Sequence, residues 1–131
     1  RGDYVHHGWA LPPSYYRSAI AELNSSENDL TLFFFSDDLP WLRRHLRTLL
    51  PTGFSSHNVH IVDCNTGAEA HEDLRLMRSC RHNVIANSTF SWWGAWLNQY
   101  SDKEVIAPSY WLRDWVKDLD IIPERWTTID R

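Results

Sequence analysis

Almost nothing in this sequence can cross-link it. Two cysteines, Cys64 and Cys80, stand 16 positions apart in 131 residues, with no CxxC and no Cys/His ligand spacing. They build neither a disulfide framework nor a zinc site, and are expected as unpaired buried thiols. Long apolar runs are missing too. None approaches the roughly 20 residues needed to cross a bilayer, and nothing resembles a signal peptide, so no membrane contact is expected from this segment. Positive charge is not in excess: the formal net charge is −4. That removes a general pull toward nucleic acid while leaving room for a local basic pocket. No internal repeat or low-complexity tract interrupts the chain. His6-His7, His57 and His60 are scattered through loop-like segments, a spacing that builds no metal centre.

What is present is aromatic and alternating. Hydrophobic residues make up 43% and charged residues 23%, the balance of a folded domain, and there are eight tryptophans. Tyr15–Leu23 reads as a helix behind Pro12-Pro13, with Tyr16, Ala19, Ile20 and Leu23 on one face. Asn24–Asp29 reads as a polar turn. Leu30–Phe35 (LTLFFF) is a short continuous apolar run, the pattern of a strand buried on both faces. A helix over Leu39–Leu50 ends at Pro51-Thr52-Gly53. Val59–Val62 is a second strand, and Glu72–Cys80 a helix with Leu74 and Met77 inward and Arg75 and Arg78 outward. Val84-Ile85-Ala86 is a third strand. It turns through Asn87-Ser88-Thr89 into a helix reaching Gln99 that is apolar almost all round and so expected to be buried on several sides. Val105-Ile106-Ala107 is a fourth strand ending at Pro108, a weaker helix follows over Leu112–Asp118, and Trp126–Ile129 is a last strand or docked tail. This alternation predicts an α/β, Rossmann-like parallel sheet of at least four strands, helices on both faces, in a single domain over residues 1–131.

Ligands of such folds bind beyond the carboxyl ends of the strands. That rule selects Arg1-Gly2-Asp3-Tyr4, Ser36-Asp37-Asp38, Asp63–Asp73 and Asn87–Ser91. In the last, Ser88 or Thr89 can cap the following helix, or the helix N-terminus can bind a diphosphate. Asn87-Ser88-Thr89 and Asn24-Ser25-Ser26 are also glycosylation sequons, the first expected to be too enclosed for modification. Asp37 and Asp38 could pair on a metal or accept hydrogen bonds from a sugar or ribose, while Asp38 could instead cap the helix from Leu39. Glu72 and Asp73 complement the dipole of their helix, or present a carboxylate to the N1–H and exocyclic N–H of guanine. Arg1 has the planar fork that suits a phosphate.

In their order these segments resemble the α-1,2-fucosyltransferases of glycosyltransferase family 11. The family's His-x-Arg-Arg-Gly-Asp-Tyr motif is matched from its last arginine by Arg1-Gly2-Asp3-Tyr4. Phe35-Ser36-Asp37-Asp38 with Trp41 resembles its second block. Glu72-Asp73-Leu74, Met77, Cys80 and the run from Asn87 to Asn98 (NSTFSWWGAWLN) resemble its third. Val105-Ile106-Ala107-Pro108 with Trp111, and Ile122-Pro123 with Trp126, resemble its tail.

The resemblance implies the donor-binding, C-terminal half of a longer two-Rossmann (GT-B) enzyme, with the N-terminal acceptor half absent from this chain. It implies inverting, metal-independent transfer of L-fucose from GDP-fucose to the 2-hydroxyl of a galactose-terminated glycan, with no cofactor. Arg1 and Asp3 are the catalytic candidates. Arg1, Ser36, Asp37, Asp38, Asp73, Asn87, Ser88, Thr89, Phe90 and Ser91 are the donor-binding candidates. The alternatives are a catalytically inactive GDP-binding Rossmann domain and a tryptophan-rich carbohydrate-binding module. The parent's compartment, a bacterial cytoplasm or a Golgi membrane, is left open.

Overall fold

The computed structural model describes residues 10–27, 29–65, 67–111 and 121–130. Arg1–Asp3 and the helix expected over Leu112–Asp118 lie outside them. Among the described residues four α-helices and five strands follow one another: α1 (Pro13–Ser26), β1 (Leu32–Phe34), α2 (Leu39–Leu49), β2 (Val59–Ile61), α3 (Ala70–Ser79), β3 (Asn83–Val84), α4 (Thr89–Trp96), β4 (Val105–Pro108) and β5 (Thr127–Ile129). Every strand pairing is parallel, so the α/β class read from the alternation holds. Among the described residues no helix is long and apolar enough to cross a membrane.

The strands form two ladders, β1-β2 and β3-β4-β5, where the sequence predicts one sheet of at least four. The pairing of β3 with β4 is short for a visible reason. In parallel register the amide of Ile85 donates to the carbonyl of Ile106 (2.9 Å), and the next donor, toward the Ile85 carbonyl, would be residue 108. That residue is a proline and has no N–H. The ladder stops, and the Tyr15 hydroxyl donates to the Ile85 carbonyl instead (2.7 Å). Tyr15, completely buried, therefore takes the inward place expected of Tyr16, with Ala19, Ile20 and Leu23.

The three-stranded sheet is covered on both faces. Val105 and Ala107 pack with Ile85, Ala95, Trp111 and Trp126, whereas Ile106 packs with Ala19 and Leu23 of α1. Successive residues of a strand point to opposite faces, so α4 lies over one side and α1 over the other. The β1-β2 ladder differs. Leu32 and Phe34 are half-buried, but Phe33 is 51% exposed and stacks on His60 of β2 (5.2 Å). The continuous apolar run is thus not buried on both faces, and His60 belongs to a strand rather than a loop.

Helix α4 also departs from expectation. Its buried residues are the small ones, Ser91, Gly94 and Ala95, while Phe90, Trp93 and Trp96 are exposed, the last two at 49% and 43%. Small residues at i, i+3 and i+4 make a face that seats closely: a Cβ on Gly94 would stand 3.0 Å from Cβ of Met77 in α3. The close approach turns the large rings outward. Lys103 closes this helix, its ammonium donating to the carbonyls of Ala95 (3.0 Å) and Asn98.

Two smaller expectations change. Helix α1 runs through Ser26 because the hydroxyls of Ser25 and Ser26 donate back to the carbonyls of Glu22 (2.7 Å) and Leu23 (3.0 Å). The Asn24 sequon therefore sits on an exposed helical turn, not a loop. Both cysteines are free, but Cys64 is exposed and Cys80 only half-buried, since the first leaves β2 into the rim and the second follows α3. Burial still pushes the Cys80 thiol pKa up.

Candidate functional site

Phe34 is in register with Ile61, and the Val62 amide donates to the Phe34 carbonyl (2.9 Å), so segments 35–38 and 62–65 leave the sheet side by side. In the first, the Ser36 hydroxyl accepts from the Asp38 amide (3.0 Å), and Asp38 Oδ1 accepts from the Trp41 amide (3.0 Å). Asp38 is thus the cap of α2, and Asp37 projects outward at the rim. In the second, Arg43 of α2 pairs with Asp63. Asn65 Nδ2 donates to Asp73 Oδ1 (2.6 Å), a partly buried bond reaching into the first turn of α3. The neighbouring Glu72 accepts from Arg75 Nε (2.6 Å) and lies 3.5 Å from His71. Glu72 therefore joins a surface ion-pair group, while Asp73 is held by an amide.

At the end of β3 the chain turns through 87–88 into α4. Ser88 occupies the N-cap with extended backbone (φ −130°, ψ 129°) but makes no capping bond with its side chain. A capped helix was one alternative for this segment, and the Ser88 side chain does not supply that cap. Asn87 is buried and donates from Nδ2 to the Trp111 carbonyl (3.0 Å), fixing the turn from inside. The Ser91 hydroxyl faces the carbonyls of Ala86 (3.2 Å) and Ser88 (3.0 Å), while Thr89 and Phe90 are exposed. Both α3 and α4 leave the carboxyl ends of strands, and they touch at Met77 and Gly94. Asp73 and Phe90 each lie one turn N-terminal to that contact, at the carboxyl edge of the strands.

Beside this edge lies a cleft of about 500 Å³ lined by Thr89, Trp92, Trp93, Trp96, Ile122 and Pro123, among others. Trp92 stacks on Trp96 (5.0 Å), and its Nε1 donates to the Ile121 carbonyl (2.7 Å). Sequence reading missed this cleft because it took α4 as enclosed; the Ser91, Gly94, Ala95 spacing was the available signal. It missed Arg43 and Asn65 as well. Nothing in the repeat of α2 singles out Arg43, and nothing in a lone Asn65 shows which carboxylate it meets. Among the described residues no three His, Cys, Asp or Glu side chains form a group that could hold a metal ion.

Parallel strands bring capped turns, carboxylates and the N-terminus of α4 to their carboxyl ends, the edge at which α/β domains of this class bind their ligands. The chain belongs to glycosyl transferase family 11, whose sequence profile matches residues 1–130. It is 36% identical to an alpha-1,2-colitosyltransferase of Escherichia coli, over all of this chain and 46% of that protein. It is also 36% identical to the O-antigen biosynthesis glycosyltransferase WbnK of Escherichia coli, over 85% of this chain and 36% of that protein. Identity to the galactoside 2-alpha-L-fucosyltransferase SEC1 of Bos taurus is 28%, over 74% of this chain and 26% of the relative. The chain spans less than half the length of these relatives. No solved structure matches it significantly.

Proposed function

We propose that this chain is the donor-binding part of an inverting α-1,2-fucosyltransferase that uses GDP-fucose, within a GT-B arrangement, and a galactose-terminated glycan as acceptor. The observations that carry the reading are the N-terminus of α4, which the Ser88 side chain leaves uncapped, and the amide-held carboxylate of Asp73 on α3. A helix N-terminus suits a diphosphate, and a carboxylate matches the donor edge of guanine. In the reaction the bond from fucose C1 to the diphosphate breaks as the acceptor 2-hydroxyl oxygen bonds to C1 from the opposite face. Negative charge grows on GDP, where Arg1 and the amides of residues 88–90 stabilise it. Asp3 takes the hydroxyl proton. Ser36 and the carboxylates of Asp37 and Asp38 serve the sugar or ribose hydroxyls. Asn87 and Ser91 hold the phosphate turn in shape, and Thr89 and Phe90 meet the donor.

Asp73→Asn exchanges a two-oxygen acceptor for a mixed group. It is expected to weaken GDP binding by about tenfold or more, the range for hydrogen bonds to a charged group. Titration calorimetry on the protein at its full natural length measures this; equal affinity for GDP and UDP in the wild type would sink the guanine reading. Metal plays no part in the proposed mechanism, so activity should persist in excess chelator. A strict requirement for manganese or magnesium would overturn that and return Asp37 and Asp38 to the role of metal ligands. The sugar is tested by competing GDP-linked fucose against GDP-linked colitose. The exposed faces of Trp93 and Trp96 favour a second reading, a carbohydrate-binding module without transfer; fucosyl transfer by the full-length protein would end it.

A further inference from the structure

We infer that Asn65 is a positioning residue that sets nucleotide-base specificity by fixing the plane of the Asp73 carboxylate. The inference rests on the reading of Asp73 as the guanine acceptor. Asn65 lies in the segment leaving β2, and Asp73 in the first turn of α3. Eight positions of chain separate two side chains that meet at 2.6 Å. Both are partly buried, which limits competition from water.

The chemistry of this partner is what makes it selective. An ionised carboxylate only accepts, and its two oxygens offer about four lone-pair sites. An arginine on Asp73 would take both oxygens as a bidentate pair and close that edge. The neighbouring basic side chains are engaged elsewhere: Arg75 and His71 with Glu72, and Arg43 with Asp63. A neutral amide instead occupies one site on Oδ1, stops the carboxylate rotating about its last side-chain bond, and leaves acceptor capacity on both oxygens. Guanine presents N1–H and its exocyclic N–H side by side, and only a carboxylate held edge-on meets both. A freely turning one would meet one donor at a time and would not distinguish guanine from hypoxanthine.

The test compares GDP with inosine diphosphate, which lacks the exocyclic amine, by calorimetry on the protein at full natural length. Wild type, Asn65→Ala and Asn65→Leu are measured, each with its melting temperature. Asn65→Leu keeps the approximate shape and loses the donor without adding charge, so it remains informative if the alanine variant fails to fold. Wild type should favour GDP by about tenfold, the range for one hydrogen bond to a charged group. In both variants the ratio should fall to within about twofold, through loss of GDP affinity. A folded variant of either kind that keeps the wild-type ratio overturns the inference while leaving Asp73 as the guanine acceptor. A wild type that does not discriminate removes the Asp73 reading itself, and the inference with it.

Discussion

Replacing Arg1 by alanine should lower turnover by about a hundredfold or more, the loss typical of one donor that stabilises charge developing in a transition state. Arg1 stands where the resemblance puts an arginine against the diphosphate, and there negative charge grows as the fucosyl bond breaks. Arg1→Lys should also be poor. It keeps the charge but replaces a planar fork, which meets two phosphate oxygens at once, with a point donor. The measurement is steady-state kinetics on the full-length protein. If both variants keep near-normal turnover and change only the Michaelis constant for the acceptor, Arg1 does not serve the departing GDP. The match to the first motif would then fail too.

Truncating Tyr15 to alanine should cost about 3–5 kcal/mol, the range for removing a buried aromatic ring. That is a large share of the roughly 5–15 kcal/mol that holds a domain folded. The ring is completely buried, and its hydroxyl supplies the Ile85 carbonyl with the donor that Pro108 lacks. Tyr15→Phe separates the two contributions. It keeps the ring and strands a buried carbonyl, which should cost about 1–3 kcal/mol. Burial, with Tyr16 beside it, pushes the Tyr15 phenol pKa well above its usual range. The folded protein therefore holds the proton more tightly than the unfolded chain. The resulting stability is complete below about pH 10, the ordinary tyrosine value, and is lost as pH rises above it. Thermal melts of wild type and Tyr15→Phe across that range check both effects, since the phenylalanine variant should lack the alkaline loss. Because the Ile85 carbonyl lies two residues before Asn87, a large loss of donor affinity in the same variant would show that the phosphate turn depends on this contact.

The regular elements were legible because local chemistry decides them. Asp38 caps α2 as its place before an apolar helical repeat required, and Pro51-Thr52-Gly53 ends that helix, with Gly53 at φ +83°. The strand β4 is buried at every residue, as its continuous apolar run demanded. The polar segments at strand ends followed from the same alternation, which is why Ser36, Asp37, Asp38, Asp73 and Asn87–Ser91 could be named before any contact was known.

Contacts between distant residues were not legible in this way. LTLFFF and NSTFSWWGAWLN are both rich in large apolar side chains, and neither says how many of its faces will be covered. Phe33 is open because nothing among the described residues lies over that side of β1-β2, and Trp93 and Trp96 are open because Gly94 lets α4 seat on its small residues. The short pairing of β3 with β4 depends on a proline in one strand meeting a carbonyl in another, and on a tyrosine from a third element that satisfies it. The sequence alone determined the order of strands and helices among the described residues, the Asp38 cap, the family and the polar segments at strand ends, since each depends on residues near one another in the chain. Only the tertiary structure decided that Asp73 meets Asn65 while Glu72 meets Arg75, that Ser88 leaves its helix uncapped, and which tryptophans face a cleft. Those outcomes depend on which side chains three-dimensional packing brings within hydrogen-bond reach, and a one-dimensional pattern does not contain that distance.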